Sequence, residues 1–422
     1  MLQNPFYLFF TACLGLFFWA GYRRIFAEVP YRHSLWSFLG EECAPGQRRA
    51  IVRALLAGLP GDSGTMAWIL TMAALSLGGA GALFWYLVFS LLWLHPLGAL
   101  AGLWRYYQPG CGGRVELSAL LEGILCRKRA RARPGLGRLL RWLQTLALCG
   151  MLPLLFRILA SPSAPARGAG LLPWLAVLLA LWLLCRLVGE RGETVLSLLF
   201  LLLLAAALLG NLPNLIPAVK LVLLDAFDRS RFLFSLSGAG LAAALQAGGA
   251  AGCGGALLRT LSAREEGPSF AHPAQAAFYE ELRGLLQLTV QLALGLLFLC
   301  ARLVPEDNRW PQTCLWAFLC LFGLLWLGRA VRALARPEGR RCGLLCLGLV
   351  GAAAVWDIWK GTALLPGLSG GAAGLASLAL AGLLLFDSNW YFLLLEHYRD
   401  VHIWHVTPHP DLMQTEMERK NM

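Results

Sequence analysis

The chain reads as an all-α polytopic membrane protein, with about eleven transmembrane helices arranged as two inverted five-helix repeats plus one extra N-terminal helix. Three observations carry that reading. Of the 422 residues, 58% are hydrophobic and only 14% charged, and the mean hydropathy is +0.61, more apolar surface than a soluble core can bury. Two apolar stretches, one in each half, are crowded with glycine. The basic residues sit in short connectors between apolar spans.

In chain order, Phe6 to Tyr22 reads as a retained span and not a signal peptide. It lacks a basic start, and Phe17, Phe18 and Trp19 stand where small residues would mark cleavage. Arg23 to Arg53 is a basic connector with an amphipathic helix expected around Gln47 to Leu56. Asp62 to Trp85 is the first glycine-broken stretch, with Gly61 and Gly64 at one end and Gly78, Gly79 and Gly81 at the other. The 15 residues from Gly64 to Gly78 fall short of the roughly 20 that cross a bilayer as a straight helix. A tight turn between two ordinary helices is the plainer account of the same glycines. Ala80 to Trp104 predicts a helix kinked at Pro96, with His95 bonded to the carbonyls freed there.

Arg105 to Arg141 is the most basic loop and reads as a topology anchor. Spans follow at about Leu139–Leu159, Leu171–Val188 and Thr194–Leu212. Asn214 to Phe227 reads as a short interfacial helix whose polar face, with Lys220 and Asp225, is solvated. Leu236 to Leu258 is the second glycine-interrupted stretch, and Arg259 to Glu281 a polar loop. The remaining spans are expected at about Leu282–Leu303, Thr313–Leu334, Gly343–Trp359 and Gly370–Phe386. The tail from Glu396 carries His402, His405 and His409 at irregular spacing and reads as a mobile end.

With the N-terminus outside and the C-terminus cytoplasmic, the basic connectors all fall on the cytoplasmic side of a cell membrane and the Glu306-Asp307 loop outside. The chain then divides into 1–61 (first span and connector), 62–227 (first repeat), 228–390 (inverted second repeat) and 391–422 (tail). The net charge of +12 belongs to topology and lipid headgroups, so no nucleic acid is expected as a partner. Twelve cysteines without a C-x-x-C pair behave as small apolar residues, with no metal site or disulfide framework.

Unwound backbone at a broken span is where carriers hold a solute or ion. Asp62, Ser63, Gly64 and Thr65 stand at the entry of the first broken helix and offer a carboxylate, two hydroxyls and free backbone groups. Thr71 lies on the same helix; Ser237, Gly238, Gly240 and Gln246 lie on the second stretch. Asp357 and Lys360, spaced i, i+3, can pair on one helix face. Asp62 has a competing role as a helix N-cap, and polar residues on core helices often bond their own backbone.

The stretch Gly78-Gly79-Ala80-Gly81-Ala82-Leu83-Phe84-Trp85 is similar to a Gly-Gly-Pro-Gly-Ala…Phe-Trp motif. Ile216, Pro217, Val219, Ala226 and Phe227 resemble an Ile-Pro-x-Val…Ala-Phe segment. His272-Pro273 resembles a His-Pro loop, and Asp357 with Pro366 an Asp…Pro-Asn-Leu element. Together they resemble the alanine or glycine:cation symporters. That resemblance implies a leucine-transporter-like fold and symport of a small neutral amino acid such as alanine or glycine. It also implies Na⁺ as coupling ion and raises Asp357 as a site residue. The chain departs at Met66 and Ala67, where the family has Gly and Asn, and at Gly367 in place of Asn. It also lacks the Ser-Asn-Glu run.

The expected function is therefore cation-coupled secondary transport by alternating access. The alternative is a structural or regulatory membrane protein that keeps the scaffold without transport. No nucleophile elbow, zinc-protease motif or P-loop is present in the sequence, so an enzyme is not expected.

Overall fold

The computed structural model describes residues 45–61, 64–107, 190–227, 240–263, 273–301 and 340–359, with isolated helical positions between 139 and 149, 179 and 183, 318 and 325, and at 379 and 382. The described residues form eight helices and no strand. They are α1 (Pro45–Gly61), α2 (Gly64–Gly78), α3 (Ala82–Tyr107), α4 (Glu190–Gly210), α5 (Leu212–Ala226), α6 (Leu241–Ala263), α7 (Pro273–Ala301) and α8 (Arg340–Trp359). The chain is an all-α polytopic membrane protein. Within α4 and α7 the segments Arg191–Gly210 and Gln275–Cys300 are long and apolar enough to cross a bilayer. The count of about eleven spans and the matching of the two repeats extend over residues outside those described.

The first glycine-broken stretch is described at one of its two expected breaks, Gly79. Helix α1 ends at Gly61 and α2 begins at Gly64, with Asp62 and Ser63 outside the described residues. At the other end α2 stops at Gly78, and Gly79 takes φ 71°, a left-handed angle that a side chain disfavours. The Gly79 N–H still donates to the Leu75 carbonyl, and Ala82 N–H donates to Gly79, so the chain reverses into α3 within three residues.

The second stretch departs from expectation. From Gly240 onward it is one continuous helix, α6, through Gly248 and Gly252. Those glycines serve close approach instead of interruption. A Cβ on Gly248 would overlap the Ala82 carbonyl, and one on Gly252 would lie 2.8 Å from the Tyr86 carbonyl. The same pairs show that α6 runs parallel to α3. Helix α7 runs antiparallel to α3, because Gly102 abuts Ala276 and Ala277, Gly98 abuts Glu281, and Gly295 abuts Leu83. Backbones this close are held by dispersion and small-residue fit, the usual means of helix association where the surrounding lipid offers no hydrophobic drive.

The core lies where these helices meet. Trp68 of α2, Phe200 and Leu204 of α4, and Val290, Leu294 and Leu297 of α7 bury one another with Phe322. A second cluster joins Leu75, Ala80, Leu83, Ala218, Val222 and Leu299. Outward faces are apolar instead of polar. Leu198, Leu199, Leu202 and Leu209 of α4 and Leu344, Leu345, Leu347 and Leu349 of α8 are exposed, as lipid-facing residues are.

Helix α5 departs from expectation at Asp225, while Lys220 is exposed as expected. Its exposed residues include Ile216, Leu221, Leu223 and Leu224, while Asp225 is buried. The Asp225 Oδ2 accepts the Gly81 N–H at 2.8 Å, and the Trp85 indole N–H donates to the Ala226 carbonyl at 3.1 Å. An acid at the C-terminal end of its own helix opposes that helix dipole, but here it caps the positive N-terminal end of α3. Phe227 closes the join against Phe84 and Trp85, at ring distances of 5.0 and 5.9 Å.

Candidate functional site

The expected polar loop Arg259–Glu281 is largely helix: α6 continues to Ala263 and α7 starts at Pro273. Proline is suited to a first helical turn, where no N–H partner exists. This brings Gln275, Glu280 and Glu281 into the helix and, with Arg283, Gln287 and Gln291, places a run of polar side chains against its neighbours. Gln275, Glu280, Arg283, Gln287 and Gln291 are all buried. Spacings of 3, 4 and 4 put Glu280, Arg283, Gln287 and Gln291 on one face of α7. That stripe covers about 16 Å of the roughly 30 Å apolar core of a bilayer.

The stripe lies between two packed faces. On one side Glu281, Ala277 and Gly295 meet α3. On the other, Val290, Leu294 and Leu297 join Trp68 of α2 and Phe200 of α4. The stripe is thus walled by α2, α3 and α4. Ionised groups here are held in pairs. Arg283 Nη1 lies 3.3 Å from Glu280 Oε2 one turn back on α7. His95, midway along α3, places Nδ1 3.3 Å from Glu281 Oε2. His95 therefore reaches a carboxylate, where the sequence suggested carbonyls freed by Pro96. Gly98, one turn on, leaves the room for Glu281: a Cβ there would lie 2.7 Å from its Cγ.

Such groups are costly in lipid. An unpaired charge at mid-membrane costs roughly 2.5–3.5 kcal/mol on insertion scales, and membrane ionisable groups mark solute or proton paths more often than packing. Two buried atoms make the point locally: Glu281 Oε1 and Gln275 Oε1 have no hydrogen-bond partner among the described residues. Hydroxyls elsewhere simply bond their own helix, as Ser197 does to the Glu193 carbonyl at 2.8 Å and Thr289 to Leu285 at 2.9 Å.

The expected site residues fall as follows. Gly64 and Thr65 open α2, and Thr71 is buried on it one turn beyond Trp68. Gln246 sits on α6 just beyond Ala243 and Ala244, which abut Gly78; its buried Nε2 has no hydrogen-bond partner. Gly240 is buried at the start of α6. Asp357 falls in the last turn of α8, and its side chain, like Asp62, Ser63, Ser237, Gly238 and Lys360, lies outside the described residues. The structure does not gather these residues into one described cluster. The polar face of α7 is not among them, because Glu280 reads as part of a loop and Arg283, Gln287 and Gln291 as part of an ordinary span. The available signal is Pro273 followed by Gln275, Glu280, Arg283, Gln287 and Gln291 at helical spacing. Among the described residues no three His, Cys, Asp or Glu side chains gather as a metal site.

No protein-family model and no curated protein matches the chain. Among solved structures it is similar to two variants of a manganese transporter from Eremococcus coleocola. Each is 14% identical, with 93% of this chain and 94% of that chain covered, at TM-scores of 0.43 and 0.37. The expected partner, a small neutral amino acid such as alanine or glycine, is corrected on this finding, since both of those structures are of a metal-ion carrier. The site itself also gives such a zwitterion little to hold. Its carboxylate needs a cation, yet Arg283 is engaged by Glu280, and Glu281, the counter-ion for an ammonium, is engaged by His95.

Proposed function

We propose that the chain is a cation-coupled secondary transporter and not an enzyme, with alternating access around the buried polar face of α7. The observation that carries this is the stripe Glu280–Arg283–Gln287–Gln291, polar side chains buried on one face of a helix long and apolar enough to cross a bilayer. The break at Gly79 supplies a pliant point beside α3.

The test is flux. Purified protein in sealed vesicles is given inward gradients of Mn²⁺, Na⁺ or H⁺, with internal dyes for each ion. Gradient-driven movement of at least one, above empty vesicles, is expected. Silence for all three with protein that unfolds cooperatively refutes the reading.

A second reading has its own observation. Helix α6 is unbroken and fitted by Gly248 and Gly252 directly onto the α3 backbone. A rigid pair of this kind suits a scaffold that no longer rocks, and silence in the flux assay favours it.

A further inference from the structure

We propose that His95 and Glu281 form a proton-binding site bridging α3 and α7, and that the proton held there is the coupling ion. The inference rests on the transport reading for its role, and on geometry for the site itself.

The geometry has three parts. The imidazole Nδ1 and the carboxylate Oε2 are 3.3 Å apart across two antiparallel helices, so one proton can be shared between them. The imidazole side chain is 46% exposed and the carboxylate 12%, so His95 lies nearer the surface of the bundle and Glu281 inside it. The second oxygen, Oε1, is buried with no hydrogen-bond partner among the described residues, which leaves a place for a proton.

The charge balance makes the site a coupling device. With one proton bound, the pair is either imidazolium and carboxylate or imidazole and carboxylic acid, and in both cases neutral overall. Loss of that proton to water leaves neutral imidazole and a carboxylate, a net charge of −1 in an apolar bundle. The loaded pair can then be carried past the lipid core with its neighbours, whereas the unloaded one carries the cost of a bare buried charge. Among the described side chains, the other ionisable groups nearby do not neutralise it; Arg105 of α3 and Arg259 of α6 lie outside them. Glu280 and Arg283 on α7 pair with each other. Helix α2 brings no ionisable side chain. On α6, Cys253 accepts from the Trp93 indole at 3.1 Å. Asp225 of α5 is committed to Gly81 at the far end of α3, and Lys220 is exposed. Helix α4 contributes Glu193, buried near its start, and Arg191, which is exposed.

The experiment is infrared difference spectroscopy on the full chain in lipid nanodiscs, stepped across about pH 5 to 8, where an imidazole exchanges its proton. A band that grows on acidification is expected, either an imidazolium ring mode or a protonated-carboxyl stretch, according to which partner holds the proton. It should vanish in the variant of that partner, His95→Gln or Glu281→Gln, and shift its midpoint in the other. A spectrum identical in wild type and folded Glu281→Gln overturns the proposal, as does a band that His95→Gln leaves unmoved. So does a band that follows Na⁺ at fixed pH. If Glu281→Gln does not fold, the His95→Gln spectrum alone decides. In vesicles, one proton per cycle lets a one-unit pH gradient accumulate a solute about tenfold at most. A titrating band with no flux removes the transport reading and leaves the proton site; flux with no band does the reverse.

Discussion

Asp225 offers the sharpest test of how the first broken stretch is held. Its carboxylate reaches 144 positions back along the chain to accept the Gly81 N–H, at a point where α3 has no residue of its own to do so. A buried hydrogen bond to a charged group contributes about 1.5–3 kcal/mol, and a charge at a helix N-terminus adds about 0.3–1 kcal/mol. Asp225→Ala removes both and strands a buried N–H, so a loss of about 2–3 kcal/mol is expected. Asp225→Asn keeps an oxygen acceptor and loses the charge, for a loss of about 1 kcal/mol. The aromatic seal of Phe84, Trp85 and Phe227 survives in both, which confines the effect to the cap. Unfolding can be followed by a dye that reacts with thiols as they emerge, because Cys149, Cys253, Cys300 and Cys346 are buried thiols outside any disulfide. The expected order of midpoints is wild type, then Asp225→Asn, then Asp225→Ala. An Asp225→Ala protein with the wild-type midpoint would refute the capping argument.

Other expectations follow from the same contacts. Gly248→Leu drives a side chain into the Ala82 carbonyl and should cost at least about 1–3 kcal/mol or abolish folding, whereas Gly348→Ala, with nothing within 4 Å, should be neutral or gain up to about 1 kcal/mol; thiol-dye midpoints distinguish them. Arg283→Met removes the cation paired with buried Glu280 and should destabilise by up to about 3–5 kcal/mol, while Glu280→Met with Arg283→Met together should be milder than Arg283→Met alone in the same assay. Cys253→Ser keeps an acceptor for the Trp93 indole, and Cys253→Val does not, so the valine variant should lose about 1–3 kcal/mol more in chemical unfolding.

The first break is legible in the sequence because glycine clusters at Gly61, Gly64 and Gly78–Gly81 mark it, and the left-handed Gly79 is where that clustering acts. The same signal misleads at Gly248 and Gly252. Glycine permits both an interruption and a close approach, and only the neighbouring α3 backbone decides between them. Asp225 reads as solvated because a lone acid near a polar lysine looks like a surface. Its position at the wrong end of its own helix for the dipole is the hint that the partner lies elsewhere. The α7 stripe escapes a reading by sequence because Glu280 and Glu281 fall in what reads as a polar loop, while Arg283, Gln287 and Gln291 fall in the next span with nothing to mark which face is buried. What keeps those charges inside is paired chemistry from another helix, with Gly98 and Gly102 making room on α3, and a single stretch of sequence does not contain it.

The central claim is that water and solute reach the α7 stripe from each side of the membrane in turn. It is tested most directly by Gln287→Cys in a chain whose native cysteines are replaced, exposed to a membrane-impermeant thiosulfonate on either face of sealed vesicles. Gln287 is buried, 6% exposed, so a static bundle would leave it untouched. Labelling from both faces, slowed when one conformation is favoured by an ion gradient, is the expected result. A folded variant that labels from neither face contradicts the account.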